Sequence, residues 1–271
     1  ARPLRQLAAA ARDLSTGQLG RQVMVRGTDE VNLLATEFNA MSQALARAEA
    51  VRRRMAADAA HELRTPVSVL RGQLEAMLDG VYPLDSAHVA VAHEQTIHLA
   101  RLVDDLRVLT LAEARQLPLE RTSFDLSELV TGLRDAFAPL ALDAGIGLET
   151  ALETGLPPLV ADVTRMRQVL TNLLANALRH TPPGGTIRVS AARVPGAVRI
   201  SVYNSGSRLD ATERAHVFDP FWRAEAARGR ESGGSGLGLA ISREIVALHG
   251  GSMAVADQAD GVTFSFTLPA P

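Results

Sequence analysis

The sequence predicts a multidomain chain: α-helical regions first, including a hairpin suited to a four-helix bundle, then an α+β sandwich. Three observations carry this. Apolar residues recur in steps of three and four through the first 110 or so positions. A turn, Gly80-Val81-Tyr82-Pro83, cuts that pattern into two long helices. Strand-like alternation is concentrated in the last third of the chain.

Composition bounds the rest. At 271 residues the chain is too long for one average domain. Hydrophobic residues at 46% against 21% charged supply enough apolar surface for real cores. A net charge of −2 gives no basic footprint, which argues against nucleic acid as the main ligand. Cysteine is absent, so disulfides, thiolate metal sites and cysteine nucleophiles are excluded. All 28 basic residues are Arg, which rules out a Walker lysine or a Schiff base. No stretch approaches the roughly 18 apolar residues of a membrane span, and no signal peptide opens the chain. It starts abruptly at Ala1-Arg2-Pro3, inside an amphipathic pattern, as a cut chain does.

In order, Leu4, Leu7, Ala8, Ala11 and Leu14 predict a helix over 4–16, ending near Gly17 and Gly20. A non-helical connector covers 23–30. Leu34, Phe38, Met41, Leu45 and Ala48 then step as a heptad, and the pattern continues through Met55 and Ala59 to about Leu78. Val89, Ala92, Thr96, Leu99, Val103 and Leu106 form the return helix. Two such hairpins would bury both seams, so a homodimer is expected. From about 118 the texture changes. Asp125 caps a helix to about Asp143, and Asp162 caps another to His180. Strands are expected at 186–194, 198–203, 252–255 and 262–268, with a helix at 237–249 before the last pair. The polar stretch between Gly206 and Gly236 has no apolar period and reads as a lid.

Four groups carry chemistry. On the first hairpin helix, His61 and Thr65 share a face with Glu62 beside them, an imidazole with a proton acceptor at hand. A surface His next to a Glu is common and alone means little. Asn172 and Asn176, one turn apart, can offer oxygen to a hard cation, and Arg179 can reach a phosphate. Two solvated Asn side chains are the plainer account. Asn204-Ser205-Gly206 follows a strand, and Gly234-Ser235-Gly236-Leu237-Gly238-Leu239 opens a helix, where backbone N–H groups cradle phosphates. A flexible glycine hinge is the alternative. The remaining histidines carry no site: His88, His93 and His98 share no face, and His216 and His249 are expected to face solvent or cap.

The order and separation of these strings resemble the sensor histidine kinases of two-component systems. His61-Glu62-Leu63-Arg64-Thr65-Pro66 is similar to their phosphoacceptor box, and residues 167–177 to the asparagine box. Phe218-Asp219-Pro220-Phe221-Trp222-Arg223 resembles the phenylalanine box, and 234–239 the second glycine box. Residues 1–50, with Pro3 and Asp29-Glu30, resemble a HAMP linker, which normally follows a transmembrane helix. The resemblance implies a HAMP linker over 1–50, a dimerisation and phosphotransfer hairpin over 51–116, and an ATP-binding domain over 117–271. It implies the cytoplasmic portion of an inner-membrane protein whose span lies outside this chain.

The same resemblance assigns roles. His61 takes the γ-phosphoryl group of ATP, Glu62 accepts its proton, and Thr65 assists later hydrolysis. Asn176 ligates Mg²⁺ with Asn172 beside it, while Arg179 and His180 meet the phosphates or the lid. Asn204 meets the adenine amine and Gly206 permits close approach. Phe218 anchors the lid, and Gly234, Ser235, Gly236, Leu237 and Gly238 wrap the phosphates. A response-regulator receiver domain takes the phosphoryl group onward. Departures from the family pattern are Asn204 for the usual Asp, Arg208 for the last Gly of the first glycine box, Asn32 for Gly in the linker and His180 for Tyr. Two rival readings are a pseudokinase scaffold and an ATPase switch of the gyrase and chaperone group. The latter typically carries Glu where Asn172 stands.

Overall fold

The structure, a computed structural model, describes residues 2–16, 18, 20, 22–24, 28–223 and 235–270. The chain divides into two compact units, residues 1–64 and 65–271. The boundary falls inside one helix.

In the first unit, α1 (Arg2–Ser15) buries Leu7 and Ala10 from its apolar stripe. The long helix α2 (Asp29–Leu78) opens with Asp29 and Glu30 in its first turn, where negative charge meets the positive end of the helix dipole. Asn39 holds the connector in place. Its Oδ1 accepts from the Val23 N–H at 2.7 Å and its Nδ2 donates to the Val23 carbonyl at 3.0 Å. Ala35, Ser42 and Ala59 are the buried positions of α2 here, whereas the heptad residues Leu34, Met41 and Leu45 are exposed. The predicted seam therefore remains open in a single chain.

The second unit begins with the last turns of α2. Pro66 sits inside this helix, so the ladder lacks the N–H that would reach the Glu62 carbonyl. After the turn, Asp85 caps α3 (Ser86–Glu113) by accepting from the His88 N–H. Val89 and Val103 of the return heptad are exposed, while Leu102, Val108, Leu109 and Ala112 are buried where α3 packs on α7.

The α+β part holds β1 (Thr122–Phe124), α4 (Leu126–Asp143), β2 (Gly147–Leu152), β3 (Leu159–Ala161) and α5 (Val163–His180). It continues through β4 (Thr186–Val194), β5 (Ala197–Ser205), α6 (Ala211–His216), α7 (Gly238–Leu248), β6 (Met253–Gln258) and β7 (Gly261–Pro269). Five strands form one sheet in the order β2-β4-β5-β7-β6, parallel only at β2–β4; β1 and β3 make a separate antiparallel pair. Inward rows of Ile187, Val189 and Ala191 on β4, Val198, Ile200 and Val202 on β5, and Val262, Phe264, Phe266 and Leu268 on β7 are buried, and α4, α5 and α7 pack on the sheet. Their partners on alternate positions, among them Arg188, Arg199 and Thr267, are left on the open face.

The α+β expectation holds, with four additions. β1, β2 and β3 were not expected, and α6 lies within the stretch read as a lid. Capped by Asp210 and Glu213 in a reciprocal box, α6 buries none of its residues and so carries no apolar period. The Arg228–Gly234 part of that stretch lies outside the described residues.

Candidate functional site

His61 and Thr65 are both exposed on α2, with Glu62 half-buried. His61 and Glu62 close the first unit and Thr65 opens the second.

The other candidates gather around α5 and α7 of the second unit. Asp162 starts α5 by accepting from the Thr164 and Arg165 N–H groups at 3.0 and 3.1 Å. Met166, Val169, Leu170, Leu173, Leu174 and Ala177 are buried, which turns Asn172, Asn176 and Arg179 toward the helix flank. Asn172 Nδ2 donates to the Gly238 carbonyl at 3.0 Å and to Ser242 Oγ at 3.3 Å. The Ser242 hydroxyl, wholly buried, donates to the same carbonyl at 2.7 Å. The first turn of α7 is thereby pinned to α5. Asn172 is more than the neighbour of Asn176: its amide nitrogen is already spent on this pin, leaving its oxygen as the available acceptor.

The start of α7 carries no side-chain cap, unlike α3, α4, α5 and α6, so no side chain of the N-cap residue occupies its first-turn N–H groups. Leu237, the N-cap residue, is fully buried and contributes only backbone. Ser235 Oγ accepts from the Leu237 N–H at 3.3 Å. Gly236 has φ +72°, and a Cβ there would lie 2.8 Å from the Phe221 carbonyl carbon. Its carbonyl accepts from the Phe221 N–H at 3.1 Å, and Phe221 itself has φ 61°. The segment after Phe218 is thus locked to the entry of α7. Gly234 lies outside the described residues.

Asn204 stands where the buried row of β5 would next place an apolar residue. It is buried, and its Nδ2 donates to Ser207 Oγ at 2.8 Å. The Ser207 hydroxyl donates onward to the His180 carbonyl at 2.7 Å, joining β5 to the end of α5. This fixes the amide, leaving its oxygen as the acceptor for an exocyclic amine. Gly206, at φ +78°, lies so close to the Pro182 ring that a Cβ would collide with it. The close approach expected of a ligand here is made by the protein itself. Arg208, in place of the family's glycine, donates to the Ala259 carbonyl at 2.6 Å and so is absorbed by the neighbouring loop.

Phe218 is buried edge-on to Phe264, with ring centroids 6.2 Å apart, and the Arg243 guanidinium lies 6.0 Å from its centroid. Burial, and then the like charge of Arg223, holds the Arg179 guanidinium below its ordinary value. Two neighbouring guanidinium groups repel unless an anion comes between them. Arg223 lies in the phenylalanine string, and its neighbour in space, Arg179, is 44 residues away in sequence. Sequence reasoning also missed Ser207 and Ser242, each of which has one partner far along the chain, His180 and Asn172.

The donor set fits a magnesium nucleotide. Oxygen from the Asn176 and Asn172 amides suits a hard divalent cation, two arginines and an uncapped helix start suit phosphates, and the Asn204 oxygen suits an amine. No group of three His, Asp or Glu residues able to hold a metal occurs among the described residues.

Three family models match the chain in the same order. A HAMP domain matches residues 1–47, a His Kinase A (phospho-acceptor) domain 51–115, and a histidine kinase-, DNA gyrase B- and HSP90-like ATPase 161–271. The chain belongs to the sensor histidine kinase family of two-component systems. Signal transduction histidine-protein kinase BaeS of Escherichia coli K12 is 34% identical over 268 residues, which cover 98% of this chain and 57% of BaeS. The chain thus spans little more than half of that relative. Among solved structures, the Acinetobacter baumannii histidine kinase AdeS superposes with a TM-score of 0.67 at 29% identity, covering 77% of this chain and 97% of AdeS. The histidine kinase ThkA, solved in complex with the response regulator TrrA, gives a TM-score of 0.65 at 26% identity over 83% of this chain and 64% of ThkA. No helix among the described residues is long and apolar enough to cross a membrane.

Proposed function

We propose that this chain uses ATP to phosphorylate its own His61 and passes the phosphoryl group to an aspartate of a response-regulator receiver domain. The observation that carries the reading is the uncapped start of α7, pinned to α5 by Asn172, in the same unit as Arg179 and the like charge of Arg223 beside it. ThkA, which forms a complex with its regulator, supports the choice of partner.

In this reading the adenine amine meets the Asn204 oxygen, and the phosphates meet the α7 start (Ser235, Gly236, Leu237 and Gly238, with Gly234 before them) together with Arg179, His180 and Arg223. Asn176, with Asn172, holds Mg²⁺, which supplies charge neutralisation to the phosphate oxygens when bound. The imidazole nitrogen of His61 attacks the γ-phosphorus, the bond to the β,γ-bridging oxygen breaks and ADP leaves. The imidazole proton passes to Glu62. Such transfer needs positioning and charge stabilisation more than covalent assistance. Phe218 fixes the base of the lid. Thr65 orients water for dephosphorylation of the regulator, giving the protein a phosphatase activity as well.

The domain limits follow the sequence expectation, 1–50, 51–116 and 117–271. The open seams of α2 and α3 support a homodimer. The chain is the cytoplasmic part of an inner-membrane protein. Purified chain given Mg²⁺ and γ-labelled ATP should acquire acid-labile label, and His61→Gln should acquire none; label persisting in that variant refutes the assignment. Thr65→Ala should keep autophosphorylation and slow regulator dephosphorylation, and equal rates remove that role.

A further inference from the structure

One imidazole ties together three segments that the site does not use directly. His249 caps the C-terminus of α7, one of the two places expected for it, and its ring is buried rather than facing solvent. Its Nδ1 lies 2.8 Å from the Ile245 carbonyl, and its Nε2 lies 3.1 Å from the Asp162 backbone nitrogen. A carbonyl only accepts and an N–H only donates, so the ring is neutral with its proton on Nδ1. Asp162 also receives the Glu120 N–H on its second carboxylate oxygen at 3.0 Å, and the Arg121 guanidinium donates to the Leu248 carbonyl at 2.8 Å. The backbone after α3, the start of α5 and the end of α7 therefore meet around His249.

Two rungs now join α5 to α7: Asn172 to Gly238 at one end, and Asp162 to His249 at the other. They lie about 15 Å apart along α5. One rung alone lets α7 pivot; two fix both slide and rotation. We propose that His249 is a positioning residue of the nucleotide site, its neutral ring setting the spacing of Asn172 and Asn176 from Gly236 and Gly238. This rests on the nucleotide reading above.

The second rung is sensitive to acid. A protonated ring has no acceptor for the Asp162 N–H, so the first turn of α5 is released. Burial holds the ring below the usual histidine value. The Ile245 carbonyl opposes this, the Arg121 charge reinforces it and the Asp162 carboxylate opposes it. The other charged side chains adjacent in sequence on these segments are Glu120 before β1 and Arg165 on α5. A folded form that binds fewer protons than the unfolded chain loses stability as pH falls below about 6.5.

Two variants separate the ring's atoms. His249→Gln can return an acceptor near the Nε2 position, while His249→Asn can return only a donor near Nδ1. The test titrates a fluorescent ATP analogue with Mg²⁺ into the full chain at pH 7.5 and 5.5, with kcat and KM of autophosphorylation alongside. His249→Asn should bind about tenfold more weakly at pH 7.5, the effect of one unsatisfied buried donor, with KM raised and kcat nearly kept. His249→Gln should recover most of the affinity and lose the acid response of the parent. Parental affinity in the Asn variant, or a parental acid response in the Gln variant, overturns the proposal. Amide exchange at Asp162 and Thr164 reads the rung without nucleotide: protection should drop in the Asn variant and at pH 5.5, and unchanged protection also overturns it. Should the parent bind no nucleotide while this protection behaves as expected, the nucleotide reading fails and the rung stands.

Discussion

Replacing Asn172 by Asp and by Ala should give two different losses, and the difference measures the pin between α5 and α7. Alanine removes donation to the Gly238 carbonyl at 3.0 Å and to Ser242 Oγ at 3.3 Å. The carbonyl still receives the Ser242 hydroxyl at 2.7 Å, so no acceptor is orphaned. The loss is then about 1–2 kcal/mol, one net hydrogen bond and a small void. Aspartate has nearly the same shape but turns the donor into a charged oxygen facing a carbonyl oxygen. The Ser242 proton can serve one of them, not both. A half-buried charge without a donor raises the loss to about 3–4 kcal/mol. The extra 2 kcal/mol or so corresponds to about 1 M urea at a slope near 2 kcal/mol/M. Trp222, the one tryptophan of the chain, has its carbonyl 3.1 Å from the Cβ position of Gly236 and so reports on this site by fluorescence. Urea midpoints should fall in the order parent, Ala, Asp, with nucleotide affinity in the same order. An Asp variant as stable as the Ala variant refutes the reasoning.

Phe218→Ala should lose about 3 kcal/mol, since the ring is buried against Phe264 and under Arg243; denaturation by urea checks it, with Phe218→Leu recovering part. Gly206→Ala meets a positive φ and the Pro182 ring together, and should lower stability by about 2–4 kcal/mol and weaken nucleotide binding by titration. Asp105 and Glu113 on α3 have carboxyls held above their ordinary 3.8 and 4.5, first by burial, then by the like charges of Asp104 and Glu244. The folded chain therefore keeps protons that the unfolded chain has shed, and stability falls as pH rises from about 4 through the raised values. Asp105→Asn with Glu113→Gln should raise the urea midpoint at pH 7 and flatten its rise on acidification; a lower midpoint counts against burial as the cause.

What the sequence made legible was local. Asp125 and Asp162 announce α4 and α5 because a cap is made within three residues of itself. β4, β5 and β7 alternate over nine residues each, enough for the period to register. β1 and β3 have three residues each, too few for any period, and β2 follows the pattern Gly-Leu-Glu-Thr-Ala-Leu, with little alternation to detect. In the site, Asn204 was legible from the string Asn204-Ser205-Gly206 after a strand, and the structure places it in step with the buried Val198, Ile200 and Val202. Ser242 and His249 were not, because their partners Asn172 and Asp162 are 70 and 87 residues away. A histidine near a helix end looks the same in sequence whether it meets water or a distant backbone N–H.

The proline inside α2 bears on how the imidazole can move. Four residues upstream of Pro66 is the Glu62 carbonyl, next to His61, and the ring denies it the donor every regular turn provides. Bending at that turn sacrifices no backbone bond, whereas bending the neighbouring regular turns strains or breaks one. Compliance is concentrated beside the proposed phosphoacceptor, so small reorientations of the imidazole require no melting of the neighbouring turns of α2.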